Sequence, residues 1–187
     1  DFASEVNVED LKESCTKYEE AALLDPTSFD VLHRWALGVS KYAVFLYEQN
    51  NEEDGHKQFA RAFALFEQAL SLNPPEPYDI YLNWGNSLWK EATLAVSVGN
   101  YSVDDAYVLA CDKYFAALEI NPLSNRALLN YTIAMKDLHQ HNATMLKREM
   151  IDKYQRCLLH LLKTLPKLGA QVLNLLLESS KDFKAMM

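Results

Sequence analysis

Proline recurs at positions 26, 74 and 122, 48 residues apart each time, and each closes a segment that ends like the others. The three are Lys17-Tyr-Glu-Glu-Ala-Ala-Leu-Leu-Asp-Pro26, Leu65-Phe-Glu-Gln-Ala-Leu-Ser-Leu-Asn-Pro74 and Lys113-Tyr-Phe-Ala-Ala-Leu-Glu-Ile-Asn-Pro122. A second similarity follows each proline. Arg34-Trp35-Ala36, Asn83-Trp84-Gly85 and Asn130-Tyr131-Thr132 place an aromatic 9, 10 and 9 residues beyond it. Two similarities in one order at one period predict a helical repeat, in which each unit buries its apolar face only against its neighbours.

Within each closing segment an aromatic (Tyr18, Phe66, Tyr114) precedes an Ala (Ala21, Ala69, Ala117) by three residues, and Leu24, Leu72 or Ile120 follows three later. That spacing predicts one helical stripe, with the Ala admitting a neighbouring helix and the aromatic filling the adjoining space. Asp/Asn-Pro then stops the helix, since the residue before proline is pushed out of the α region. Thr27 and Ser124 are placed to cap the next helix, and Pro77 suits a first turn. Helices are predicted over 7–24, 28–48, 56–72, 78–97, 103–120, 125–140, 144–164 and 167–184. In the last, Leu168, Val172, Leu175 and Leu176 share a face, which predicts a cover for the end of the array, with a partner-binding or membrane-surface helix as the alternative.

Tyr81-Leu-Asn-Trp-Gly-Asn-Ser-Leu-Trp-Lys90, followed by Ala110, Tyr114, Ala117, Ile120 and Pro122, resembles the tetratricopeptide repeat (TPR) signature. Leu32, Trp35, Ala36, Ala62, Phe66, Ala69, Leu72 and Pro74 carry it in the first repeat. Leu128, Tyr131 and Thr132, then a looser Met150, Tyr154 and Cys157, carry it in the third. The resemblance implies an all-α, superhelical array of antiparallel helix pairs, about three and a half repeats long with a C-terminal capping helix. Its units are a half repeat (7–26), repeats at 27–74, 75–122 and 123–165, and the cap (166–187). These repeats exceed the usual 34 residues by 14 (48 − 34). Gln49-Asn-Asn-Glu-Glu-Asp-Gly55 and Ser97-Val-Gly-Asn-Tyr-Ser102 read as loop, and the remainder should lengthen the helices to about 20 residues, or about 30 Å.

In such an array the first helices of successive repeats line the concave surface. The register turns Asp30, Arg34, Leu37 and Lys41 inward from repeat one, Asp79, Asn83, Asn86 and Lys90 from repeat two, and Arg126, Asn130, Ile133 and Asp137 from repeat three. The candidate partner-binding residues are therefore Arg34, Lys41, Asn83, Asn86, Lys90, Arg126 and Asn130. Arg34, Asn83 and Asn130 form one row whose donors suit peptide carbonyls or a carboxylate; the competing reading is that they bond to neighbouring helices.

Function follows as an expectation: a non-catalytic scaffold or adaptor domain of a larger protein, holding a peptide or protein in that groove. Some TPR arrays clamp the acidic C-terminal tails of heat-shock chaperones, but Asp30 and Arg34 stand where the clamp's first Lys and Asn belong, so that ligand is not expected. Arg34-Trp35-Ala36 and the lengthened repeats also resemble the plant-type mitochondrial outer-membrane import receptor, which implies basic amphipathic targeting peptides as the alternative ligand. A net charge of −8, from 18 basic and 26 acidic residues, suits basic partners and disfavours nucleic acid.

No Gly-rich phosphate loop, GxSxG or HExxH occurs, and neither cofactor nor catalytic or metal site is expected. His139-Gln-His141 reads as an exposed loop pair, His33 as a groove candidate and Cys111 as a small buried residue. Three unspaced cysteines (Cys15, Cys111, Cys157) fit a reducing, cytoplasmic setting, the cytosolic face of an organelle included, and the three N-x-S/T sequons read as chance. No stretch is apolar enough to span a bilayer, and an Asp1 start without a leader reads as an excised fragment.

Overall fold

The computed structural model describes residues 8–99, 103–142, 144, 148–164 and 167. Among these residues seven helices follow one another: α1 (Val8–Leu24), α2 (Phe29–Glu48), α3 (Glu52–Ser71), α4 (Tyr78–Ser97), α5 (Asp104–Ile120), α6 (Asn125–Asn142) and α7 (Arg148–Thr164). No strand occurs among the described residues. Each helix packs antiparallel on the next, while α2 also touches α4, α4 touches α6, and α5 touches α7. The result is a helical-repeat array in two layers, with α2, α4 and α6 side by side and α3, α5 and α7 behind them. The expected cap at 167–184 lies outside the described residues apart from Lys167.

The 48-residue period is a packing period. Phe59, Ala62, Phe66 and Ala69 on α3 are buried, and so are Tyr107, Ala110, Tyr114 and Ala117 on α5. Close approach explains the small residues. A Cβ on Gly85 would stand 2.7 Å from the Tyr114 ring, so α4 and α5 meet where only glycine fits. The third position of the expected stripe is core only in part: Leu72 packs against the core, whereas Leu24 is 88% exposed and Ile120 42%. Residues six apart differ by about 120° around a helix, and Leu24 and Ile120 are the last residues of α1 and α5.

Helix ends follow from local chemistry. Asn121 is extended (φ −126°) before Pro122, and Asn50 and Asn73 take left-handed conformations (φ 57° and 53°) that asparagine tolerates. Ser28, not Thr27, caps α2, accepting from the Val31 amide at 3.4 Å. Thr27 instead donates its amide and hydroxyl to the Asp25 carboxylate at 3.1 and 2.8 Å, closing the turn. Ser124 caps α6 as expected, accepting from Ala127 N at 3.0 Å, and Pro77 stands just ahead of α4.

The lengthening is almost all helix. The segment read as a loop over 49–55 is a turn of 49–51, after which Glu52, Glu53 and Asp54 form the acidic first turn of α3. Gly55 is buried there because the Tyr47 ring lies where its Cβ would be. Helices α2, α3 and α4 each reach the expected 20 residues. No helix among the described residues is long and apolar enough to cross a membrane.

Candidate functional site

Three helices each contribute one stripe to a single cavity of about 330 Å³ on the α2–α4–α6 layer. Leu37, Ser40, Lys41 and Val44 come from α2, and Asn83, Asn86, Ser87 and Lys90 from α4. Both sets run i, i+3, i+4, i+7, the spacing of one helical face. Asn130 and Ile133 continue the surface on α6. Trp89 adds to one wall, and Phe59 of α3 and Tyr114 of α5 lie behind the layer as its floor.

Five of the seven candidate residues meet here: Lys41, Asn83, Asn86, Lys90 and Asn130. Arg34 and Arg126 do not line the cavity. Arg34 lies seven residues, about 10 Å of helix, before Lys41, and its Nε bonds Asp30 one turn back at 2.8 Å. Arg126 is exposed on the first turn of α6. The row Arg34–Asn83–Asn130 is thus split, with its two amides in the cavity.

Those amides also tie helices together. The Asn130 amide nitrogen donates to Asn86 Oδ1 (2.7 Å), and the Tyr114 hydroxyl donates to the same oxygen (3.0 Å), joining α6, α4 and α5. The Asn83 amide nitrogen lies 3.1 Å from His33 Nε2, joining α4 to α2. His33 therefore supports the wall without lining it, and burial lowers its pKa. Ser87 Oγ donates to the Asn83 carbonyl (3.0 Å), which leaves Ser40 as donor in the buried Ser40–Ser87 hydroxyl pair at 2.9 Å. Trp89 Nε1 donates to Asp137 Oδ2 at 2.8 Å, holding the indole against the cavity.

The charge inside opposes that of the chain. Among the described residues, Lys41 and Lys90 are the only charged ones in the lining, and neither forms an ion pair there. The Asn86 amide nitrogen and the Asn83 and Asn130 side-chain oxygens likewise make no hydrogen bond among the described residues. Leu37, Val44, Phe59 and Ile133 supply apolar area between these groups. Sequence reading missed Ser40, Val44, Phe59, Ser87, Trp89 and Tyr114. The i, i+3, i+4, i+7 continuation of the inward stripe would have found Ser40, Val44 and Ser87; the aromatics come from other faces and other helices.

The remaining candidates fall elsewhere. Cys111 is fully buried, and burial raises its thiol well above the ordinary range. His139 and His141 are not an exposed loop pair: α6 runs on to Asn142, so both lie in its last turn and are half-buried. His141 Nδ1 lies 2.9 Å from Asp104, which also accepts from the Asn142 amide at 2.7 Å. No group of three or more His, Cys, Asp or Glu that could hold a metal occurs among the described residues. The chain matches no protein-family model, and no curated protein is recognisably similar to it.

Proposed function

We propose that this chain is a non-catalytic protein-interaction module of tetratricopeptide type, a scaffold or adaptor domain that holds a peptide segment of a partner across the α2–α4–α6 face. The cavity carries this reading: one continuous apolar surface built by equivalent stripes of three helices, with amide and ammonium groups turned into it. A repeat array makes such surfaces by stacking, without any single repeat forming a site. The two hydroxyls of the lining bond each other and a backbone carbonyl, which ties α2 to α4 along this face. The lysines also favour this reading over an import receptor for basic targeting helices.

Selection of peptides from an unbiased displayed library, followed by titration, tests the proposal. Ile133→Glu, placing a charge in the cavity from a position 36% exposed, should weaken the selected peptides at least about tenfold, about 1.4 kcal/mol. Arg34→Ala, outside the cavity, should leave them unchanged. Equal binding by wild type and Ile133→Glu would move the site off this face.

A further inference from the structure

We infer that the partner segment recognised here is acidic and apolar at once: a bulky apolar side chain enters the cavity, and carboxylates flanking it in the peptide meet Lys41 and Lys90. The inference rests on the reading of the cavity as a peptide site and deepens it. Three observations carry it. Among the described residues the lining holds two ammonium groups and no carboxylate, in a chain whose net charge is −8. Those two cations stand 49 residues apart (90 − 41), the same separation as Trp35 and Trp84, so they occupy one place in successive repeats and both belong to the face. Neither is neutralised by an ion pair among the described residues, whereas Lys57 and Arg34 elsewhere on the surface bond neighbouring carboxylates at 2.7 and 2.8 Å.

The third repeat completes the polarity. Lys90 advanced by 47, the separation of Asn83 from Asn130, falls on Asp137, whose carboxylate is turned to Trp89 Nε1. The cationic pair therefore ends at repeat two, and the α6 side offers Ile133 and the Asn130 amide. Charge complementarity of this kind selects partners by repelling the wrong sign as well as attracting the right one. An acidic segment has its electrostatic attraction confined to this patch, since the rest of the chain repels it. A basic helix meets the reverse: attraction over the whole surface and repulsion at the cavity.

Fluorescence anisotropy of the whole chain with labelled, C-terminally amidated peptides tests this. One peptide carries a phenylalanine flanked on each side by two glutamates; a second replaces the phenylalanine by alanine; a third replaces the glutamates by lysines. The first should bind, and weaken at least about tenfold on loss of its phenylalanine or on Lys41→Glu with Lys90→Glu, and its affinity should fall as salt is raised. Amidation ensures that the side-chain carboxylates, not a chain terminus, are read. Equal or tighter binding of the lysine peptide that Ile133→Glu weakens would overturn the acidic assignment while leaving a peptide site in place. Binding indifferent to Ile133→Glu, or no binding by any of the three together with library peptides equally indifferent, would remove the peptide site and this inference with it. Displacement of the first peptide by 3-phenylpropionate at equal affinity would assign the cavity to a small organic acid instead of a protein.

Discussion

Asn86 accepts two hydrogen bonds on one oxygen, from Tyr114 and from Asn130, and this makes it a structural residue in the wall of the cavity. Tyr114 is 1% exposed, and burial pushes its phenol far above the ordinary range, so the hydroxyl stays protonated and needs an acceptor. Asn86→Ala should therefore destabilise the chain by about 1–3 kcal/mol, the cost of leaving buried donors unpaired. Tyr114→Phe in the Asn86→Ala background should recover part of that loss. Chemical denaturation of the two variants and the double variant measures the coupling, and an unchanged midpoint for Asn86→Ala would show that water satisfies Tyr114 instead. Reading Asn86 from its register alone makes it a ligand contact. The register says which face a side chain leaves from, not what it finds there.

At the scale of elements, the join of α3 to α4 has a pH-dependent contact. Glu91 on α4 is 8% exposed, and its Oε1 lies 2.7 Å from His56 Nδ1 in the second turn of α3. Burial raises the Glu91 pKa above its ordinary 4.5, against the opposing pull of His56. A carboxyl raised on folding stabilises the fold most when protonated. Its contribution is complete below 4.5 and is lost as pH rises through the folded-state value. The melting temperature of the wild type relative to Glu91→Gln should thus increase as pH is lowered from neutral toward 4.5, and a difference flat in pH would refute the desolvation account. His56 stands just past the segment that sequence reading placed in a loop. Gln49-Asn-Asn-Glu-Glu-Asp-Gly55 has the composition of a loop and equally of a turn followed by an acidic helix start. Tertiary contact of Gly55 with Tyr47 decides between them. By contrast, burial of Phe66, Ala69, Tyr114 and Ala117 was legible, because the repeat forces the same neighbour on the same position twice. The cavity was half legible. Its stripe follows from periodicity, but its ends depend on Arg34 turning to Asp30 and on aromatics of the layer behind.

Over the described part of the molecule, the core divides into a part under α1–α3 that takes in Ile80 of α4, a small part of Ala43, Tyr47 and Phe59 between α2 and α3, and a larger part under α4–α7; Trp84 packs against the first and the last. Its ring stacks on Phe66 of α3 (centroids 6.1 Å apart, planes 13° from parallel), and Lys113 Nζ of α5 stands 3.6 Å from its centroid. Trp35, its counterpart in repeat one, lies in the first part, with Arg61 4.9 Å from its ring centroid. The Trp84 indole N–H is buried without a hydrogen-bond partner among the described residues, so the position is held by ring area and not by its polar handle. Since an array's stability is the sum of its units and the junctions between them, one side chain at a junction governs whether the units unfold together. Trp84→Ala should cost about 3–5 kcal/mol, and more tellingly should uncouple the halves. Backbone amides of α1–α3 should then exchange with solvent at a different free energy from those of α5 and α6, whereas the wild type should open as one unit. Trp84→Phe keeps a ring on Phe66 and removes the orphan donor, so it should retain coupling at a smaller loss. Hydrogen exchange resolved by helix distinguishes the outcomes. Uniform protection in Trp84→Ala would place the coupling in the rest of the α3–α4 and α2–α4 packing, the second of which walls the cavity.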